Sequence, residues 1–136
     1  MQDQKKRASV CWVQSPSDTP ARVLGYYTLS AYSIGLRDLP EELARKLPRY
    51  PDVPAALLGR LAVDNRSRGL RIGEHLLMDA MAKVLAQSAA IATYALVVDA
   101  KDAQAAAFYT RYDFIPFPTY PLRLFLPTAT IAQLFE

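Results

Sequence analysis

The chain is poor in the residues on which stapled, metal-held and membrane-bound proteins depend. It has one cysteine, Cys11, in 136 residues. An intramolecular disulfide framework is excluded, and a reducing compartment such as the cytoplasm fits. Cys11 stands in an apolar strand pattern and reads as core before it reads as a nucleophile. A single histidine, His75, leaves no His/Cys cluster for zinc and gives no support to a histidine-based triad. No apolar run reaches the ~18 residues of a membrane span. The start, MQDQKKRASV, carries charges but no apolar stretch of the kind a signal peptide needs. There is neither a Gly-Lys-Ser/Thr phosphate loop nor a Gly-x-Gly-x-x-Gly fingerprint. Excess charge is slight: 16 Lys and Arg against 13 Asp and Glu give +3. That permits an anionic partner without requiring one.

What is present is the content of one domain, residues 1–136, with 51% apolar residues to build a core. Its centre is Leu61–Leu77, LAVDNRSRGLRIGEHLL. This reads as a strand, a polar turn over Asp64–Arg68, and a helix. The region holds Arg66, Arg68, Arg71, Gly69 and Gly73. Main-chain N–H groups in such a turn, with those of the helix start, form an anion site that suits a pyrophosphate.

The rest of the chain supplies a frame. Ala8–Gln14 and Arg22–Ile34 read as paired strands around a turn at Ser15–Pro20, with a bulge or close approach at Gly25. Leu39-Pro40-Glu41-Glu42 opens a short helix, with Arg45 and Lys46 near its end and Pro48 as its stop. Pro51 and Pro54 predict an extended link. Ala55–Val63 is a nearly unbroken apolar run, as in a central strand covered on both faces. The helix to Ser88 places Ile72, Leu76, Leu77, Ala80, Met81 and Val84 on one face, and His75, Asp79 and Lys83 opposite. Tyr94–Asp99 is the next strand, so the strand–helix–strand order predicts a parallel unit. Asp102 is the expected N-cap of a helix over Ala103–Tyr112. Phe114–Ile115 begins a final strand, interrupted by prolines and resumed at Leu122–Leu126, before a closing helical turn at Thr128–Phe135. The expected fold class is α/β.

Two motifs resemble those of the GNAT acyltransferases. Arg68-x-x-Arg71-x-Gly73 is similar to their coenzyme A loop, Gln/Arg-x-x-Gly-x-Gly/Ala, with Arg71 where the middle glycine usually stands. Asp102-x-x-Ala105-x-x-Phe108-Tyr109, followed by Tyr112-Asp113-Phe114, resembles Asn-x-x-Ala-x-x-Phe/Tyr-Tyr-x-x-x-Gly-Phe. Asp102 replaces the Asn, and Asp113 replaces the Gly; Asp tolerates positive φ better than most residues. The stretches GYYTLSAYSI, LPRYPDVPAALLGRLAVD, VVDAKD, AFYTRYDFIPFP and LRLFLPTATI are similar, more narrowly, to the GNAT toxins of bacterial toxin–antitoxin pairs. Those enzymes acetylate the α-amino group of aminoacyl-tRNA. They begin with a strand and two helices of which QDQKKR matches only the end, so the chain reads as N-terminally shortened.

The resemblance implies a GNAT fold, with antiparallel N-terminal strands and a parallel cofactor unit in one mixed sheet. It implies acetyl-CoA held by Leu61, Ala62, Val63, Arg68, Gly69, Leu70, Arg71, Ile72, Gly73, Asp102 and Phe108. The main-chain N–H at Val63 would polarise the thioester carbonyl, and Tyr109 would give a proton to the departing thiolate. A strong general base is dispensable, because a free α-amino group has a pKa of only ~7.7–8.0. Arg37, Arg45, Lys46, Arg49, Arg66 and Arg111 would line a path for the tRNA. The implied partners are aminoacyl-tRNA, a ribbon–helix–helix antitoxin and a second copy of the chain, with no membrane and no metal. Two alternatives stay open: the same transfer to a small amine or a protein N-terminus, or a coenzyme A-binding protein without turnover that uses Gly25–Ile34 for partner contacts.

Overall fold

The computed structural model describes residues 9–14, 25–47, 51–63 and 71–135. The expected N-terminal arm, the Ser15–Pro20 turn, the stop at Pro48 and the turn from Asp64 to Leu70 lie outside the described residues, as do Arg49 and Arg66. Among the described residues, six strands form one sheet in the order β1-β2-β3-β4-β6-β5. β1 is Ser9–Gln14, β2 Gly25–Gly35, β3 Asp52–Val63, β4 Ala95–Asp99, β5 Ile115–Pro116 and β6 Arg123–Pro127. Among the described residues, four α-helices accompany them: α1 (Glu41–Ala44), α2 (Ile72–Ser88), α3 (Ala103–Thr110) and α4 (Thr128–Leu134), with a 3-10 turn at Leu36–Asp38. β3 and β4 run parallel and every other neighbouring pair is antiparallel. The expected mixed α/β sheet is therefore present.

The α2 face forms as its four-residue spacing dictates. Ile72, Leu76, Leu77, Ala80, Met81 and Val84 are all buried, against Leu58, Leu96, Val98, Leu124 and Leu126 of the sheet. A smaller core on the opposite face joins Ile34, Val53, Val97, Phe117 and Phe125 to Leu39 beside α1. His75 is exposed, as its position predicts. Asp79 is not simply solvated. It sits at the edge of the buried stripe, where the fully buried Tyr27 of β2 donates its hydroxyl proton to the carboxylate at 2.5 Å. Lys83 donates to the same oxygen. A buried phenol needs a polar partner, so the neighbour in reach is recruited.

Burial opposes charge on Asp79, but the hydrogen bonds from Lys83 and Tyr27 outweigh it and hold the carboxyl below its usual range. Such a group adds stability above its unfolded pKa of about 3.9 and loses it as pH falls through the lower folded value. Asp79→Asn should therefore be less stable than the parent at neutral pH. It should also lose less on acidification, which urea midpoints measured from about pH 7 to about pH 3 will show.

Three expectations are corrected. First, α1 is only four residues long, and Arg45 and Lys46 fall in the turn after it. Second, β3 begins at Asp52, so Pro54 lies within the strand rather than in a link. Its carbonyl accepts from the N–H of Tyr94, so its missing N–H faces the β4 side, short of the first β3–β4 pair at Ala56. Third, the final strand is two strands. The chain reverses between Phe117 and Arg123, and β6 inserts between β4 and β5. Pro116 ends up on the edge, where a missing donor is tolerated.

Candidate active site

The site arises where the sheet comes apart. β3 and β4 pair only through Ala56–Leu58 and Leu96–Val98. Beyond that, β3 continues for five residues, Gly59–Val63, with no strand beside it on the β4 side among the described residues. On the other side it stays paired with β2, apart from a register shift between Thr28 and Leu29 that leaves Gly59 as the extra residue. The N–H of Arg60 donates to Thr28 Oγ1 at 3.0 Å across this bulge. A bulge bends its strand, and here it lies where β3 and β4 part. The expectation that β3 is covered on both faces fails in this half: Gly59 and Arg60 are exposed and Leu61–Val63 only half-buried.

A cavity of about 650 Å³ fills the gap. One wall is the free edge of β3, including Leu61, Ala62 and Val63; the other is Asp99, Ala100 and Lys101 at the end of β4, with Ala105 and Tyr109 of α3. Asp102 caps α3 as predicted, accepting from the N–H of Ala105 at 2.8 Å, which is worth about 1 kcal/mol. The cap starts the helix that carries Tyr109 into the cavity. Tyr109 is buried among rings, with Phe108 at 5.2 Å and Phe114 at 5.4 Å, both edge-on. Burial pushes its hydroxyl up to about 12, so it keeps its proton at neutral pH. Asp113 adopts φ 71°, the tight turn that the replaced glycine predicts.

The helix start beside the cavity explains the odd arginine. Arg71 is the N-cap of α2 with φ 58° and ψ 31°, the left-handed conformation in which glycine is comfortable. Among the described residues no side chain caps this end. Gly73 comes next. A Cβ there would meet Val63, Leu61 and Phe108 at 3.7–3.9 Å, so one methyl fits, as the Gly/Ala of the motif allows. Ile72 is buried in the core. The Arg71 side chain is 80% exposed, 4.0 Å from the Glu74 carboxylate.

The left-handed conformation costs a non-glycine residue roughly 1–2 kcal/mol, partly offset by glycine's greater freedom when unfolded. Arg71→Gly should therefore fold with a urea midpoint equal to or slightly above the parent, whereas Arg71→Val should lose about 1 kcal/mol or more. Unchanged acetyl-CoA affinity and unchanged turnover in Arg71→Gly would show that the side chain touches neither ligand.

The structure separates the predicted residues into groups. Leu61, Ala62, Val63 and Tyr109 share the cavity; Gly73 faces Leu61, Val63 and Phe108, Arg71 and Ile72 open α2, and Asp102 caps α3, none of them lining the cavity itself. Arg68, Gly69 and Leu70 lie outside the described residues. Arg37, Arg45 and Lys46 sit by the other end of β3, on the order of 25 Å from the cavity at ~3.3 Å per strand residue. Arg37 and Arg45 border a separate open groove of about 820 Å³, and Arg45 pairs with Glu41 at 3.0 Å. Arg111 lies over the Phe108 ring at 5.7 Å. Tyr26, Gly59, Arg60, Asp99 and Lys101 line the cavity unpredicted. A glycine followed by arginine inside an apolar run was the available signal for the first pair on β3.

The Acetyltransferase (GNAT) family model matches residues 4–114. The chain belongs to the GNAT family. Among GNAT relatives, the tRNA-acetylating toxin of Mycobacterium tuberculosis is 40% identical over 105 residues, 77% of this chain and 62% of that protein. The solved complex of AtaT with acetyl-methionyl-tRNAfMet is 31% identical, with TM-score 0.89, covering 97% of this chain and 78% of that one. A mutant AtaT toxin bound to acetyl-CoA and the C-terminus of the antitoxin AtaR is 32% identical, with TM-score 0.69, covering 84% of this chain and 64% of that one. The chain thus spans less than two thirds of the length of the Mycobacterium tuberculosis toxin. Among the described residues, the cavity thus offers a strand edge of β3 with no partner strand, the start of α2 beside it, and the cations Arg60 and Lys101.

Proposed function

We propose that this chain transfers the acetyl group of acetyl-CoA to the α-amino group of aminoacyl-tRNA, as the toxin of a toxin–antitoxin pair. The observation that carries the reading is the meeting of Tyr109 with the free edge of β3, Leu61–Val63, in one cavity. When bound, coenzyme A supplies an acetyl carbon activated as a thioester. Arg71, Ile72 and Gly73, with Arg68, Gly69 and Leu70, would hold the phosphates; Leu61–Val63 would offer main-chain groups to the pantetheine arm, and the N–H at Val63 would polarise the acetyl carbonyl. Phe108 and Asp102 keep α3 in place, and through it Tyr109. Tyr109 Oη holds a proton for the leaving sulfur. The acceptor nitrogen loses a proton as its new bond to carbon forms, which restores the phenol and balances the step.

In this reading the basic residues at the far end of β3, with Arg111, would follow the phosphates of a long RNA rather than touch the reacting atoms. Partners follow from the same reading: an antitoxin of the ribbon–helix–helix type, a second copy of the chain, and the cytoplasm as the place of action. Labelled acetyl-CoA offered with charged tRNA, small amines and peptides tests the proposal. Label should appear on charged tRNA, and its transfer should fall steeply between low and high salt, since phosphate contacts release counterions. Label on small amines alone, unaffected by added tRNA, would assign the transfer to a different acceptor. Acetyl-CoA binding with no product would leave a binding protein.

A further inference from the structure

Asp99 is the only carboxylate among the described residues that line the cavity; the other charged side chains there, Arg60 and Lys101, are cations. It stands at the end of β4, one residue past the last β3–β4 pair, directly opposite Arg123 of β6. Arg123 grips it from behind. Nε donates to Oδ1 at 2.7 Å and Nη2 to Oδ2 at 3.2 Å. The guanidinium is itself fixed: Nη1 donates to Tyr32 Oη at 2.6 Å, and the group lies 5.5 Å from the Tyr32 ring and 5.9 Å from the Tyr120 ring. A carboxylate has about four lone-pair directions. The fork takes one on each oxygen. The others are open on a side chain that is 49% exposed.

The acceptor chemistry needs such a group. An amine with a pKa of ~7.7–8.0 arrives partly as a cation. Arg60 and Lys101 favour the phosphates of the donor and repel that cation. We infer that Asp99, oriented by Arg123 between Tyr32 and Tyr120, is the positioning residue for the acceptor's amino group, and that it selects acceptors with a free amine. The inference rests on the acetyl-transfer reading above.

The charged and titratable groups around Asp99 are Arg60 from β3, Lys101 after β4, Tyr109 from α3, Tyr26 and Tyr32 from β2, Arg123 from β6 and Tyr120 from the loop before it. The cations lower the pKa of a bound amine and Asp99 raises it. Removing the Asp99 charge therefore moves the acid limb of kcat to lower pH. The experiment compares the parent, Asp99→Asn and Arg123→Lys for transfer to charged tRNA across pH, with acetyl-CoA affinity measured by calorimetry. Asp99→Asn should raise KM for charged tRNA at least tenfold and shift the acid limb of kcat downward, with acetyl-CoA affinity within twofold. Arg123→Lys, which keeps the charge but loses the fork, should raise KM by less and leave the limb in place. A KM within twofold and an unmoved limb in Asp99→Asn would reduce Asp99 to a cross-strand partner of Arg123. If the parent acetylates only small amines, the tRNA reading falls and the same comparison on a small primary amine decides Asp99. If the parent acetylates no amine, both readings fall.

Discussion

Tyr109→Phe is expected to lower acetyl transfer by ~10²–10⁴-fold, the usual contribution of a positioned proton donor. Acetyl-CoA should still bind. The ring is buried between Phe108 and Phe114, and phenylalanine preserves those edge-on contacts. Its hydroxyl has no hydrogen-bond partner among the described residues, so the melting temperature should hardly change. Burial pushes the hydroxyl up to about 12, well above an ordinary thiol at ~8.5. Complete transfer to a free thiolate is therefore uphill. In the proposed role the phenol would work only while the acceptor nitrogen returns a proton to it, which would couple breakage of the old bond to formation of the new one. A loss of activity between about pH 8 and pH 10 would then belong to another group, since Tyr109 stays protonated there. A loss below tenfold in Tyr109→Phe would remove its proposed role.

Gly25→Ala is expected to cost ~1–3 kcal/mol in urea denaturation and to weaken acetyl-CoA binding as well. Gly25 opens β2 opposite Val63, beside the cavity. A Cβ there would lie 2.7 Å from the carbonyl oxygen of Ala62, 2.8 Å from Leu76 Cδ1 and 3.2 Å from Ile72 Cγ2. The first of these is backbone and cannot swing away. Room can be made only by moving β3 or the start of α2, the two elements proposed to hold the donor. Gly35→Ala is the control, because its Cβ would meet only the side-chain carboxylate of Asp38. Equal stability of the two variants would show that the close approach at Gly25 is not what seats α2.

Local chemistry made much of this legible in the sequence. The buried stripe of α2, the cap at Asp102 and the left-handed turn at Asp113 depend on spacing and on backbone preference. Gly25 was readable as a close approach, but not what approaches it. What stayed hidden depends on partners distant in sequence. Tyr27 and Asp79 meet only because α2 crosses β2. Phe114–Leu126 could be one broken strand or two, and the choice depends on β4 offering its edge to β6. Gly59 could be read as a weak strand residue, yet its role as a bulge exists only against Thr28. Asp99 closes an apolar strand and draws no notice until Arg123 stands opposite it. The turn motif pointed to an anion at the start of α2, whereas the opposite side of the cavity, where the acceptor is proposed to lie, had no motif.

The three-residue parallel ladder has a mechanical consequence. Within the sheet, the half formed by β1, β2 and β3 is joined to the half formed by β4, β6 and β5 by the short ladder at Ala56–Leu58 and the Tyr94–Pro54 hydrogen bond beside it. Above that short seam, α2 packs on both halves and α3 flanks the gap. A ligand lodged there touches the free edge of one half and the strand end of the other, so it acts as a strut. Its binding free energy is then also cohesion between the two halves.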